Sequence, residues 1–265
     1  MIKKLYISAD IEGICGIADW KETNIGEAQG AAFREEMTLE VAAACEAAVS
    51  AGVEEILVKD AHGSGRSIDP SRLPENVRLM RAWTGDPWCM MAGLDSSFGG
   101  ALYIGYHSGA GSDGNPLAHT MDTTNVQVLV NGRKASEFLI NAYLAATLGV
   151  PSLLVSGDRL LCEGAPGIAP GIRAVPVSEG LGNASISIHP ALARRRIAEA
   201  TKAALSSPPP LLELPREFAV SVLFREHHRA HKASFFPGAS KTGPQEVAFS
   251  SKDWFEVARF LYFTL

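Results

Sequence analysis

The chain has 265 residues, 46% of them hydrophobic and 20% charged, with a net charge of −5. That is enough apolar material for a full layered core, and the lack of any basic stripe excludes a nucleic-acid-binding role. No run approaches the roughly 18 apolar residues of a membrane span, and the apolar run at residues 5–9 is too short for a signal peptide, so a cytoplasmic protein with no membrane partner is expected.

Residues 4–9 (KLYISA) read as a buried strand ending at Asp10. Phe33, Met37, Val41, Cys45 and Ala48 recur at helical spacing over residues 33–51, and Gly52 supplies a stop. Residues 53–59 form the next strand, followed by the glycine-rich loop that carries His62. Strand, helix and strand in succession predict a parallel α/β sheet. A third strand over residues 102–106 ends at His107, and a glycine-rich, flexible loop leads from there to His119. Residues 125–130 read as a strand closed by the Asn131-Gly132 turn. Ser136 is placed to cap a helix beginning near Glu137. A strand over residues 152–155 runs into Gly157-Asp158.

Beyond it, residues 172–177 suggest a strand and residues 190–205 a helix, in which Arg194, Arg195 and Arg196 read as a solvated face. The run Ser206-Ser207-Pro208-Pro209-Pro210 breaks the chain. Then come a strand (217–224), an exposed basic loop with His227, His228 and His231, a strand (245–250) and an apolar helix from Lys252. The expected fold is α/β: a mostly parallel central sheet flanked by helices over residues 1–205, and a smaller C-terminal α+β portion over residues 211–265, the two making two subdomains or one domain. Cys15, Cys45, Cys89 and Cys162 form no C-x-x-C pair and read as reduced structural thiols.

The chemistry lies in where the polar residues fall. In an open α/β sheet, ligands bind at the carboxyl ends of the strands. Asp10, His62, His107 and Asp158 each fall at or just past such an end, and Glu137 adds a carboxylate if its helix points inward. Carboxylates and imidazoles together suit Zn²⁺, Mn²⁺ or Co²⁺. A carboxylate that bridges two ions would make a two-metal site, which acidifies water and polarises a carbonyl or phosphoryl oxygen. His119 stands apart. Imidazole titrates near 6.5, which suits it to proton transfer or to stabilising an oxyanion.

At these residues the chain resembles the D-aminopeptidase family of zinc metallopeptidases. The matching elements are Ser8-Ala-Asp10-Ile-Glu12-Gly13, Val58-Lys-Asp60-Ala-His62, Gly105-Tyr106-His107, His119-Thr-Met121, Glu137 with Asn141-Ala142-Tyr143, and Ser156-Gly157-Asp158. Pro237-Gly238 and Lys241-Thr242-Gly243 match a C-terminal signature more loosely, and residues 160–235 show no specific match. The resemblance implies that Asp10 bridges two zinc ions, that Glu12 and His62 complete one set of ligands and His107 and Glu137 the other, and that His119 is catalytic. It implies a ring-type homo-oligomer and a short peptide substrate with an N-terminal D-residue. Arg159 departs from the family pattern, which commonly has a second acid there, and so would alter the charge the pocket accepts. Two other readings stay open: a dinuclear hydrolase of another amide, lactone or ester, and a non-catalytic metal-binding protein.

Overall fold

The computed structural model describes residues 2–265. In chain order its elements are β1 (Lys4–Ala9), α1 (Trp20–Thr23), α2 (Gly30–Ser50), β2 (Glu55–Asp60), β3 (Val77–Met80), β4 (Ala101–Tyr106), β5 (Asn125–Val130), β6 (Arg133–Lys134), α3 (Glu137–Thr147), β7 (Ser152–Asp158) and α4 (Arg159–Gly164). They continue with β8 (Arg173–Leu181), β9 (Ala184–Ser187), α5 (Pro190–Ser206), β10 (Phe218–Phe224), α6 (His227–Ala233), β11 (Ser240–Lys241), β12 (Glu246–Ser251) and α7 (Trp254–Thr264).

Seven strands form one sheet in the order β3-β2-β1-β4-β7-β8-β9. Every neighbouring pair is parallel except the β8–β9 hairpin at the edge. The chain winds outward from β1 through β2 to β3, then returns to start the other half at β4. The carboxyl ends of β1 and β4 therefore flank the topological switch point, where an open sheet leaves a crevice.

Alternation along the strands builds two cores. Leu5, Ile7, Leu102 and Ile104 face α2 and α5, while Tyr6, Tyr103 and Tyr106 face the side covered by α3. On that second side α7 packs against α3 and against a smaller antiparallel sheet, ordered β11-β12-β10-β5-β6. The Trp254 indole N–H donates to Ile140 O at 3.1 Å, tying α7 to α3. The smaller sheet draws strands from both sides of the proline-rich break, since β5 pairs with β10. Among the described residues no helix is long and apolar enough to cross a membrane.

The sequence reading leaves out several short elements, α1, α4, β6 and β11 among them, and three further differences stand out. β3 is an edge strand of only four residues, too short for a periodic signal. β9 extends β8 into a hairpin. The histidine-rich segment expected as a loop is the short helix α6, which buries Ala230 and Ala233 and leaves His227, His228 and His231 exposed. The i, i+4 spacing of His227 and His231 was helical, but the local signal was dominated by charge.

Helix α2 carries a buried carboxyl, Glu40, facing Glu36, Arg194 of α5 and the Cys15 backbone. Burial pushes the Glu40 pKa up to about 8, against the Cys15 N–H bond of 2.9 Å that favours the charged form. The folded protein thus keeps this proton up to about pH 8, whereas the unfolded chain releases it near the ordinary value of 4.5. The stability this confers is complete below that lower value and is lost as pH rises towards 8. Glu40→Gln is expected to melt a few degrees above wild type at pH 9, with the gap narrowing at pH 5; a gap that widens at low pH would contradict the assignment.

Candidate metal centre

Asp10 and Glu12 lie in the turn that follows β1, His62 follows β2, His107 follows β4, and Glu137 opens α3. Local chemistry sets each one. The Asp10 N–H donates to Ile104 O at 2.8 Å, which extends the β1–β4 pairing one residue past the strand end. The chain can turn here because Gly13 and Gly157 press on the same carbonyl: a Cβ on either would lie 1.8 Å from Tyr106 O. Only glycine at both positions lets the ends of β1, β4 and β7 converge.

Ser136 caps α3, its Oγ accepting from Leu139 N, so Glu137 begins the helix with its side chain turned into the crevice. Asn141, one turn later on the same face, donates to the Tyr106 hydroxyl at 2.9 Å. That hydroxyl donates in turn to Ser8 Oγ at 2.6 Å, and Ser8 donates to Met90 O at 2.9 Å. This buried relay locks β1, β4 and α3 in one register behind the ligands. Tyr106→Phe removes both bonds at the hydroxyl, leaving Ser8 Oγ with Met90 O and Asn141 Nδ2 with Met90 Sδ, and is expected to cost about 1–3 kcal/mol, read as a fall in the denaturant midpoint at unchanged slope.

The carboxylates and imidazoles then meet. His62 Nδ1 lies 2.9 Å from Glu12 Oε2 and 3.3 Å from Asp10 Oδ1. His107 Nε2 lies 3.4 Å from Asp10 Oδ2 and 3.5 Å from Glu137 Oε2. The two oxygens of Asp10 therefore face one histidine each. Asp10, Glu12 and His62 offer ligand atoms within 4.8 Å of one another, as do His107, His119 and Glu137. Asp10, Glu12, His107 and Glu137 are all at most 3% exposed.

Electrostatically the cluster is incomplete as a protein-only arrangement. Three buried carboxylates converge, and the cations beside them are imidazoles alone. Asp10 Oδ2, Glu12 Oε2 and His107 Nε2 have no hydrogen bond of acceptable geometry, a costly state for buried polar atoms. Burial works against the Asp10 charge, yet the imidazoles of His107 and His62, each within 3.4 Å of one of its oxygens, hold its carboxyl well below the usual range. His62 is opposed by burial but pushed up to about 11 by Glu12 and Asp10. His107 is likewise opposed by burial and driven well above its ordinary value by Glu137 and Asp10. The cluster demands positive charge, and its mixed nitrogen and oxygen donors suit zinc-class ions.

Hydrogen bonds with the surrounding backbone orient these groups. His107 Nδ1 donates to Ser108 O at 2.9 Å, which leaves Nε2 as the atom aimed at the carboxylates. The Met121 N–H donates to Glu137 Oε1 at 2.7 Å from a backbone held at φ +66°, a conformation uncommon for a non-glycine residue and one that collects at functional sites. Asp158, grouped with the strand-end ligands in the sequence, is not among the converging groups. It caps α4 through Leu161 N and accepts from Ser108 N (2.5 Å) and Ser108 Oγ (2.6 Å), anchoring the residue after His107.

The loop from His107 to His119, expected to be flexible, is tied down. Asn115 Nδ2 donates to Glu12 O at 2.9 Å, Ala110 N donates to Thr120 Oγ1 at 3.0 Å, and Gly180 N donates to Gly114 O at 2.9 Å. His119 is clamped at its end: its ring stacks on His107 with centroids 4.4 Å apart and meets Trp20 edge-on at 5.1 Å. Its Nδ1 donates to Leu117 O at 2.8 Å, so Nε2 is the free nitrogen, 3.6 Å from Glu137 Oε1.

The ligands open into a cleft of about 960 Å³, within the range of small-molecule sites. Sequence reasoning missed three of its walls. Trp20 stands first in α1, and the signal was present: Asp19 and Glu22 form a capping box, which starts a helix at residue 20. Trp83 also lines the cleft, its indole N–H donating to Gly63 O at 2.7 Å and its ring covering the buried Lys59 ammonium at 4.1 Å. Arg225, read as part of an exposed basic loop, is exposed as expected and lines the cleft as well. Arg159, expected to alter the pocket's charge, is instead paired with Glu179 at 2.5 Å and does not line it.

The family described as D-aminopeptidase matches residues 3–263. A curated D-aminopeptidase of Bacillus subtilis is 32% identical over 259 residues, 96% of this chain and 93% of the relative. A solved structure, described as the Zn-dependent D-aminopeptidase DppA from Bacillus subtilis, a self-compartmentalizing protease, superposes with a TM-score of 0.91 at 30% identity, covering 98% of this chain and 96% of that one.

Proposed function

The chain belongs to the D-aminopeptidase family of metallopeptidases, and on that premise we propose that its cleft binds two zinc ions per chain and hydrolyses the N-terminal amide of short peptides that begin with a D-amino acid. The observation that carries the proposal is the placement of Asp10, with one oxygen towards His62 and the other towards His107. Asp10, Glu12 and His62 would hold one ion, and Asp10, His107 and Glu137 the second. When bound, two such ions supply positive charge that polarises an amide carbonyl and acidifies water. The side chains do the rest. His119, fixed by Leu117 O and clamped between His107 and Trp20, presents Nε2 to the cleft as the atom that moves a proton. Trp20 and Trp83 line the cleft as apolar walls beside the centre.

Assembly into a homo-oligomer belongs to the same proposal. It is supported by the description of the solved relative as self-compartmentalizing and by exposed apolar side chains at Leu181, Ile186, Phe235 and Phe263. A cytoplasmic location accords with four free cysteines. The test is elemental analysis of purified protein together with a panel of D- and L-dipeptides. About two zinc-class ions per chain and turnover of D-peptides are expected. Turnover of a different amide, lactone or ester, with none of D-peptides, would replace the substrate while keeping the metal centre.

A further inference from the structure

The metal centre leaves one charged group in the cleft without a role. Arg225 is the one Arg or Lys side chain among the residues that line it. Its Nε donates to Thr123 O at 2.8 Å, its backbone N–H to Thr124 O at 2.9 Å, and its own carbonyl accepts from the Gln245 side chain. These bonds hold the residue from three sides and leave the two terminal guanidinium nitrogens free.

The surrounding acids do not claim it. Asp122, which also lines the cleft, accepts from Thr124 Oγ1 at 2.7 and 2.8 Å, from Thr124 N at 2.9 Å and from Asn125 Nδ2 at 3.0 Å. Glu226, next in the chain, turns to His228 at 3.4 Å and Arg229 at 3.7 Å. The pairing of β10 with β5 shifts register between Leu223 and Phe224, just before Arg225. Such irregularities re-aim the side chain that follows and recur beside active sites. The loop that holds Arg225 is also the one whose Met121 N–H fixes Glu137, so the guanidinium and the metal ligands belong to one rigid construction.

A permanently charged fork, unpaired and set in a cleft whose acidic side chains are Asp10, Glu12, Asp122 and Glu137, is suited to a carboxylate ligand. We propose that Arg225 binds the free C-terminal carboxylate of the peptide substrate. This rests on the aminopeptidase reading and deepens it. The preferred substrates would be short peptides with both ends free, and blocking the C-terminus as an amide would weaken binding without touching the scissile bond.

The test uses zinc-loaded full-length protein and two non-hydrolysable probes: a reduced-bond D-alanyl-glycine analogue with a free carboxylate, and its C-terminal carboxamide. Calorimetry on wild type is expected to show the acid binding about 10- to 100-fold more tightly than the amide. Arg225→Ala should bind both alike, at the affinity wild type shows for the amide. Arg225→Gln, which keeps a donor for Thr123 O, should do the same and guards against a collapsed loop. Zinc content should be unchanged in both. In turnover, the loss should fall on KM for free-acid peptides, with kcat nearly intact. A wild type with no preference for the acid, or variants that retain the preference, would overturn the assignment. Acid-selective, Arg225-dependent binding without any peptide turnover would uphold the subsite and remove the hydrolase reading instead.

Discussion

Asp10→Ala is expected to abolish peptide hydrolysis, with a fall of about 10³-fold or more, equivalent to some 4 kcal/mol of barrier, and to remove bound zinc from both positions. Asp10 is the one residue whose two oxygens face both histidines. Without it, Glu12 with His62 and Glu137 with His107 become two separate pairs of ligands, one short of the three protein ligands that catalytic zinc sites usually have. The loss should appear in elemental analysis and as a lower melting temperature in the presence of zinc, because an ion that binds only the folded chain stabilises it by mass action. Wild-type zinc content in this variant would refute the bridging role.

His119→Ala is expected to lower kcat by about 10²- to 10⁴-fold, the usual contribution of a positioned acid–base group, while leaving zinc content intact. The arrangement makes this a demanding test, since His119 Nε2 lies 3.6 Å from Glu137 Oε1 and its ring stacks on His107. A ligand and a proton-transfer group at that place differ in one readout. Loss of about one zinc per chain would make His119 a ligand, whereas a fully loaded but inactive protein would make it the group that moves the proton. Full activity would take it out of the mechanism.

Much of the cluster was legible beforehand because its carboxylates and imidazoles obey a rule of position. Asp10, His62 and His107 follow three apolar runs, and in a parallel sheet such residues share one edge. Glu137 was legible through Ser136, whose capping role fixes where α3 begins. The recurrence of Ser8, Tyr106 and Asn141 near the ligands acquires its reason in the hydrogen-bonded relay behind them. Asp158 obeyed the same positional rule, and yet its carboxylate is taken up by Ser108 and the start of α4. Position at a strand end names candidates; competing donors decide which remain free.

By itself, then, the sequence determined the α/β sheet, through apolar runs of strand length separated by helical periodicity, and the set of residues carried to the sheet's carboxyl edge. Both are local properties, encoded in patterns of a few residues. The tertiary structure alone decided which oxygen faces which imidazole, that His119 is clamped between His107 and Trp20, that Trp83 closes part of the cleft, and that Arg225 reaches it while Arg159 does not. Those contacts join residues up to a hundred positions apart across two sheets, and they depend on a register shift in β10 and on two glycines pressing on one carbonyl. Such close approaches follow from how layers pack, which no periodicity along the chain encodes.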